Sequence, residues 1–192
     1  MSRASLDRSY FEDVYAKDAD PWRFATSAYE REKYDATLSA LPKRRYARAL
    51  EVGCSIGVLT QKLAARCDSL LALDIAEEPL CAGRRRCADM PSVRFARAAA
   101  PGDWPEGAFD LILLSEVVYY LDRADVTRLA ARVRDSLAGG GDLLLVHWTG
   151  PTDYPLSGDE AADLLLGQTC PPLRIVEQRR HEQFRLDLAS CV

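Results

Sequence analysis

Apolar residues in the middle of the chain occur in short continuous runs that alternate with amphipathic stretches. The runs cover residues 49–52, 70–73, 93–96, 109–115 and 142–146. Continuous apolar runs of this length are typical of strands buried on both faces of a sheet. Residues 58–66, 78–88 and 125–137 have helical spacing, and we expect the glycines at 139–141 to stop the last of these helices. The alternation predicts a doubly wound α/β fold with a mostly parallel sheet.

The two ends of the chain differ from this middle part. Residues 10–48 are rich in aromatic and charged side chains, with a turn at 18–22 and a helix over 29–41 that Ser27 or Thr26 caps and Pro42 terminates. After a helix over about 157–167, two strands flank Arg180 and suggest a terminal antiparallel hairpin. We therefore predict a seven-stranded sheet, an N-terminal helical lid segment at 1–45, and one compact ligand-binding domain at 46–192.

Composition narrows the class of protein. With a formal net charge of −4, the chain lacks the broad basic surface expected of a general nucleic-acid binder. The six cysteines form no CxxC pair and only two histidines accompany them, so we expect no metal site. Neither an apolar N-terminal run nor a membrane-spanning run is apparent, which favours a cytoplasmic protein with reduced cysteines and no membrane partner. We expect a monomer or a homodimer.

A glycine-containing turn follows the first predicted strand, in the segment 51–57 (EVGCSIG). Glycines at a strand-to-helix turn let a ligand approach the backbone closely. The spacing from Gly53 to Gly57 does not supply the GxGxxG fingerprint of dinucleotide sites. The Glu51 carboxylate would repel a pyrophosphate and attract a ligand that carries an ammonium and a sulfonium. S-adenosylmethionine has both charges and no phosphate, so the turn favours it over NAD.

Asp74 ends the second predicted strand, about 20 positions after Gly53, where an acid can accept hydrogen bonds from two ribose hydroxyls. Helix capping is the alternative role for this carboxylate. Together with the segment Phe109-Asp110-Leu111-Ile112, the glycine turn and Asp74 resemble the successive motifs of class I S-adenosylmethionine-dependent methyltransferases over residues 46–150. That resemblance implies a Rossmann-like fold. It also implies that Glu51 lies by the methionine end of the cofactor and that Asp74 holds the ribose.

Further stretches resemble the nodulation-protein-S branch of these enzymes, up to about Asp159. They are DPWRF at 20–24, SxYE at 27–30, KY at 33–34, EVGCSIGVLT at 51–60, SEVVYYL at 115–121 and HW at 147–148. Members of this branch are N-methyltransferases acting on the amino sugar of a chitin-like oligosaccharide. The resemblance therefore implies an amine substrate on a small molecule or oligosaccharide, with S-adenosylhomocysteine as the second product.

One departure from the family pattern concerns the adenine of the cofactor. Many members carry an acid after the third strand, where this chain has alanines at 98–100. We expect backbone groups and apolar packing around Ala99 to hold adenine, with Asp103 as a possible substitute. Ile75 and Ser115 are further predicted cofactor contacts.

The reacting groups should lie at the carboxyl ends of the fourth and fifth strands. Glu116 could orient an amine or accept its proton, and His147 is the side chain whose ordinary pKa best suits a base near neutral pH. Tyr119 and Tyr29 are predicted to line the substrate pocket. Trp22 is the best candidate for a lid that excludes water from the sulfonium.

Four interpretations remain open at this point. N-methylation of an amine is the leading one, and O-methylation of a small acceptor is its nearest enzymatic alternative. A non-catalytic module that only senses the cofactor would keep the same glycine turn. A nicotinamide-dependent oxidoreductase is disfavoured by Glu51 and by the missing third glycine of the fingerprint.

Overall fold

The computed structural model describes residues 3–169 and 173–191. Predictions that fall on residues 1–2, on Cys170 or on Val192 lie outside the described residues. The elements, in chain order, are α1 (Arg8–Lys17), α2 (Ala28–Ala40), β1 (Ala49–Val52), α3 (Val58–Ala64), β2 (Leu70–Asp74), α4 (Glu77–Arg86), β3 (Val93–Arg97), β4 (Phe109–Ser115), a 3-10 turn (Val118–Tyr120), α5 (Arg123–Ser136), β5 (Leu137–Trp148), α6 (Gly158–Thr169), β6 (Leu173–Arg180) and β7 (Phe184–Cys191).

The seven strands form one sheet in the order β3-β2-β1-β4-β5-β7-β6. The first five in this order are parallel, and β7 is antiparallel to both β5 and β6. The structure thus confirms the predicted doubly wound, mostly parallel sheet with a terminal hairpin. In such a sheet the strand order reverses at the first strand, here between β1 and β4, and ligands bind beyond the carboxyl ends at that point.

Helices cover both faces of the sheet, as continuous apolar strands require. Leu111 and Ile112 are adjacent on β4 and belong to opposite hydrophobic clusters. One cluster joins Ile112 to Val126 of α5, and the other joins Leu111 to Leu63 of α3. Cys54 is buried beside this core, as expected of a small filler.

The N-terminal segment contains two helices, of which the sequence predicted only the second. Asp7 caps α1, and Ser27 caps α2 by accepting a hydrogen bond from the Glu30 amide. Phe11 and Tyr15 bury the inner face of α1 against the loop that follows β2. The division of the chain at residue 45 into lid and domain stays a prediction.

The glycines at 139–141 do not have the predicted role. Helix α5 ends at Ser136, and β5 begins at Leu137 and runs through the glycines, whereas the apolar run predicts a strand that begins only at residue 142. Leu137 is buried and extended, and it pairs with Phe109 before the register shifts. The glycines therefore form an irregular entry to the strand and not a helix stop.

No helix in the described part of the chain combines the length and apolar character needed to cross a lipid bilayer. Within the same residues, no group of three or more His, Cys, Asp or Glu side chains is arranged to hold a metal ion.

Candidate functional site

A cavity of about 470 Å³ lies at the carboxyl ends of β1, β2, β4 and β5, beneath α1 and α2. Its size is typical of a site for a small organic ligand. Nine of the predicted site residues line it: Trp22, Tyr29, Glu51, Gly53, Asp74, Ile75, Ser115, Glu116 and Tyr119. Gly57, Ala99 and His147 are not among the lining residues in the described part of the chain.

Glycine is needed at the two positions of the turn for different structural reasons. Gly53 has a φ of +82°, and a Cβ there would lie 2.1 Å from Val117 Cγ2, so only glycine fits on the cavity wall. Gly57 has a φ of +76°, and its Cβ would lie 2.9 Å from the Cα of Gly83. Gly57 therefore allows α3 to start close to α4, and the structure does not bring it to the cavity.

Asp74 connects the glycine turn to the start of α4. Its Oδ2 accepts a hydrogen bond from the Ser55 amide at 2.8 Å, and its Oδ1 accepts one from the Ala76 amide at 3.0 Å. Burial raises the pKa of Asp74 to about 6, although these two amides oppose the rise. Each carboxylate oxygen accepts one of these bonds and can accept another, and Asp74 lines the cavity, so its carboxylate has the acceptor capacity that a diol ligand would require.

Glu51 is a buried carboxyl group with a free oxygen. It is 1% exposed, it lines the cavity, and its Oε2 finds no hydrogen-bond partner among the described residues. Burial raises the pKa of Glu51 to about 7. An unpaired buried carboxyl group is costly, and a cationic ligand in the cavity would relieve that cost. This is the arrangement that the ammonium group of S-adenosylmethionine fits.

Glu116 belongs to a network that reaches across to α2. Its Oε1 accepts a hydrogen bond from Lys33 Nζ at 2.5 Å, and its Oε2 accepts bonds from Tyr119 Oη at 2.7 Å and from the Trp148 amide at 2.8 Å. Lys33 also donates to Glu30 Oε1 at 2.9 Å. Glu116 has a φ of +56°, a strained conformation for a side-chain-bearing residue, and such strain is concentrated at functional sites.

His147 is not among the described residues that line the cavity. It is fully buried, and its Nε2 accepts a hydrogen bond from the Val118 amide at 3.2 Å. Burial lowers the pKa of His147 to about 4, so the ring is neutral near pH 7. Its geometry is that of a support for the 3-10 turn that carries Tyr119.

Aromatic side chains of the N-terminal segment close the cavity. Tyr15 Oη lies 2.6 Å from Ser55 Oγ and so connects α1 to the glycine turn. The ring of Trp22 packs edge-on against Tyr15, and the ring of Tyr29 packs edge-on against Trp148. The N-terminal segment thus supplies the wall opposite the strand ends.

The region expected to hold adenine is apolar. Ala98 and Ala100 line the cavity, whereas Ala99 does not. The Ala99 amide donates to Asp103 Oδ2 at 3.1 Å, and Asp103 is exposed and does not line the cavity. Asp103 therefore stabilises its own loop, and the geometry gives no support to its use as a substitute for the family's adenine-binding acid.

Sequence reasoning missed Glu30 and Lys33 as site residues. Both lie on the inner face of α2, three positions apart, and both are buried. The available signal was a pair of charges on the face of a helix that otherwise carries Tyr34, Thr37 and Ala40 inward. Charged residues on a buried face are rare unless they are paired or functional.

Comparisons with known proteins bear on the family and on the fold. A family model described as nodulation protein S matches residues 10–143. Nodulation protein S of Rhizobium tropici is 35% identical over 127 residues, which are 65% of this chain and 53% of the relative. The chain thus spans about half the length of the curated relatives it matches.

Solved structures extend the comparison. The crystal structure of a candidate methyltransferase from Pseudomonas syringae is 38% identical and superposes with a TM-score of 0.74, over 85% of this chain and 99% of that one. The N-methyltransferase of the nodulation protein S type from Bradyrhizobium japonicum, in complex with S-adenosylhomocysteine, has a TM-score of 0.79 over 96% and 97% of the two chains. At 23% identity, the second comparison supports the fold.

Proposed function

The chain belongs to the nodulation protein S family of class I methyltransferases, and from this premise we propose that it transfers a methyl group from S-adenosylmethionine to an amine on a small molecule or amino sugar. The observation that supports the amine is the charge of the cavity. Four carboxyl groups line it, those of Glu30, Glu51, Asp74 and Glu116, and Lys33 is the one cation among the described lining residues.

This charge balance favours cationic ligands. The cofactor carries an ammonium, a sulfonium and a carboxylate, so it adds one net positive charge to a cavity that carries a surplus of carboxyl groups. A protonated amine would be attracted by the carboxyl groups that remain, whereas a carboxylic acid acceptor would be repelled. The electrostatics thus support N-methylation over methylation of an acid.

We assign the cofactor to the side of the cavity formed by β1 and β2. Glu51 would take its ammonium, the bare backbone at Gly53 would allow close approach, and Asp74 would accept the ribose hydroxyls. Ala98 and Ala100 would contact adenine. When bound, the cofactor supplies an activated methyl group on a positively charged sulfur.

We assign the acceptor to the opposite side, formed by α2 and the ends of β4 and β5. Tyr29 and Trp148 form an aromatic wall there. Three hydrogen-bond donors, one of them the Trp148 amide, hold the Glu116 side chain in place. These groups would orient the amine nitrogen, and alignment of donor and acceptor is the main requirement of methyl transfer. Trp22 and Tyr15 would exclude water from above.

The first test is titration calorimetry with S-adenosylhomocysteine, with NAD as the control ligand. We expect micromolar binding of the first and none of the second. Binding of NAD alone would contradict the assignment of the cofactor.

The second test uses a matched pair of acceptors, a glucosamine tetrasaccharide and its fully N-acetylated counterpart, with S-adenosylmethionine as donor. The two share every hydroxyl group, and only the first has free amines. We expect mass spectrometry to show methylation of the first alone. Equal methylation of both would indicate O-methylation, and ethanolamine and phosphoethanolamine extend the test to smaller amines.

A further inference from the structure

Glu30 and Glu116 flank the ammonium group of Lys33 in the wall of the cavity. The distances from Lys33 Nζ are 2.9 Å to Glu30 Oε1 and 2.5 Å to Glu116 Oε1. The side chain of Lys33 is 3% exposed, so solvent does not screen these contacts. Two carboxyl groups thus share one cation, and the trio carries a surplus of negative charge.

The two carboxyl groups differ in whether they have an oxygen without a hydrogen-bond donor. Both oxygens of Glu116 already accept hydrogen bonds, from Lys33, from Tyr119 and from the Trp148 amide. Burial alone would raise the pKa of Glu116, but Lys33 and the other donors outweigh it and hold the pKa below its ordinary value. Glu116 is therefore a permanently charged anchor and a poor proton acceptor.

Glu30 has an unused oxygen. It is 5% exposed and lines the cavity, and its Oε2 accepts no hydrogen bond from the described residues. The groups that face Glu30 are Tyr29, Lys33 and Tyr34 of its own helix and Glu116 from beyond β4, and the Tyr34 hydroxyl is close enough to lower the pKa of Glu30. Burial raises the pKa of Glu30, and Lys33 offsets this rise only in part. A buried carboxyl oxygen without a donor is the position at which a ligand N–H would be most stabilising.

We propose that Glu30 receives the acceptor amine and takes the proton that the nitrogen must lose before it can be methylated. The inference rests on the proposed N-methylation. In this step an N–H bond of the bound ammonium breaks, its electron pair stays on nitrogen, and the proton forms an O–H bond with Glu30 Oε2. Lys33 and Glu116 are positioning residues that hold the other oxygen of Glu30 in place.

The experiment compares Glu30→Gln with Glu32→Gln, using the glucosamine tetrasaccharide as acceptor. Glu32 lies on the same helix, but it is exposed and outside the cavity, so it provides a matched control for the same substitution. The readouts are kcat/KM over about pH 6 to 9.5 and the affinity for S-adenosylhomocysteine. Gln keeps the shape of the side chain and removes its capacity to accept a proton.

We expect Glu30→Gln to lower kcat/KM about 100-fold near pH 7, the usual contribution of a positioned base, with an unchanged affinity for S-adenosylhomocysteine. The deficit should shrink as pH rises, because an amine that is already neutral needs no proton acceptor. Glu32→Gln should match the wild-type protein throughout.

A Glu30→Gln variant with wild-type kcat/KM, or with a deficit that is constant across pH, would overturn the role of Glu30 while leaving N-methylation intact. Absence of methylation by the wild-type protein with this acceptor would overturn the proposed amino-sugar activity, and the role of Glu30 with it. The two failures are thus distinguishable.

Discussion

Replacing Glu51 by Gln should stabilise the ligand-free protein. The side chain is 1% exposed, and burial raises its pKa from 4.5 to about 7. Because the pKa of Glu51 is raised in the folded state, the stability that the protonated side chain contributes is fully present below about pH 4.5. That contribution is lost as pH rises through 7. At pH 8 the ionised carboxylate therefore costs on the order of 3 kcal/mol, which a neutral amide would not.

For a chain of this size, 3 kcal/mol corresponds to roughly 6–12 °C in Tm. We expect the Tm of Glu51→Gln to exceed the Tm of the wild-type protein by this amount at pH 8. Near pH 4.5 the two Tm values should be almost equal. Glu106→Gln is the matched control, because Glu106 is exposed and does not line the cavity, and it should leave Tm unchanged. A Tm at pH 8 that falls in the Glu51 variant would refute the reasoning.

The same substitution should weaken cofactor binding, and calorimetry can measure this. If only the ionised carboxylate binds the ammonium, a pKa of about 7 makes wild-type affinity for S-adenosylhomocysteine roughly tenfold lower at pH 6 than at pH 8. Asp74, with a pKa of about 6, adds a further factor of about two. In Glu51→Gln the affinity should be lower at pH 8 and the tenfold dependence should disappear. Retention of wild-type affinity and pH dependence would separate Glu51 from the cofactor.

Three further substitutions test the site. Asp74→Ala should weaken S-adenosylhomocysteine binding by at least about 10-fold, because it removes the predicted ribose acceptor along with two backbone contacts, and unchanged affinity by calorimetry would contradict the assignment. Glu116→Gln should lower turnover of the glucosamine tetrasaccharide while cofactor affinity stays within about twofold, and wild-type turnover would remove Glu116 from the mechanism. Gly53→Ala should lower Tm and abolish cofactor binding, because its Cβ would lie 2.1 Å from Val117 Cγ2 and at a positive φ; a folded variant with normal affinity would show that the turn relaxes freely.

The sheet was predictable because its strands are continuous apolar runs, and a run buried on both faces needs no tertiary information to be recognised. Two elements were missed for local reasons. Helix α1 buries only Phe11 and Tyr15, which is too few positions to establish a helical period. The start of β5 contains three glycines, which indicate a break in most contexts, and only pairing of Leu137 with Phe109 makes this stretch a strand.

The cofactor side of the site was easier to predict than the acceptor side. Sequence spacing is enough to predict Glu51, Gly53 and Asp74. The first two lie in one strand–turn–helix unit, and the third ends the next strand. Glu30 and Lys33 reach the site only because α2 folds back over the sheet, 83 positions from Glu116 in the case of Lys33. No local sequence pattern predicts a contact over that separation.

His147 and Trp148 show how a correct strand can still leave a residue's direction open. Both end β5, and successive side chains of a strand point to opposite faces. Trp148 lines the cavity, while His147 is fully buried. Since the face that lies toward the site depends on the register with β4 and β7, the sequence alone could not decide between them.

The distribution of carboxyl groups bears on catalysis as well as on recognition. Methyl transfer to a neutral amine moves positive charge from the donor side of the cavity onto the acceptor nitrogen. Groups that stabilise this charge more in the transition state than before it accelerate the reaction. Glu116 is fixed as an anion by three donors, one of them the Lys33 ammonium, so it would meet the developing ammonium without reorganising. On this argument the carboxyl groups of the proposed acceptor side should raise kcat more than they lower KM, whereas Glu51 and Asp74 should act chiefly through the affinity for the cofactor.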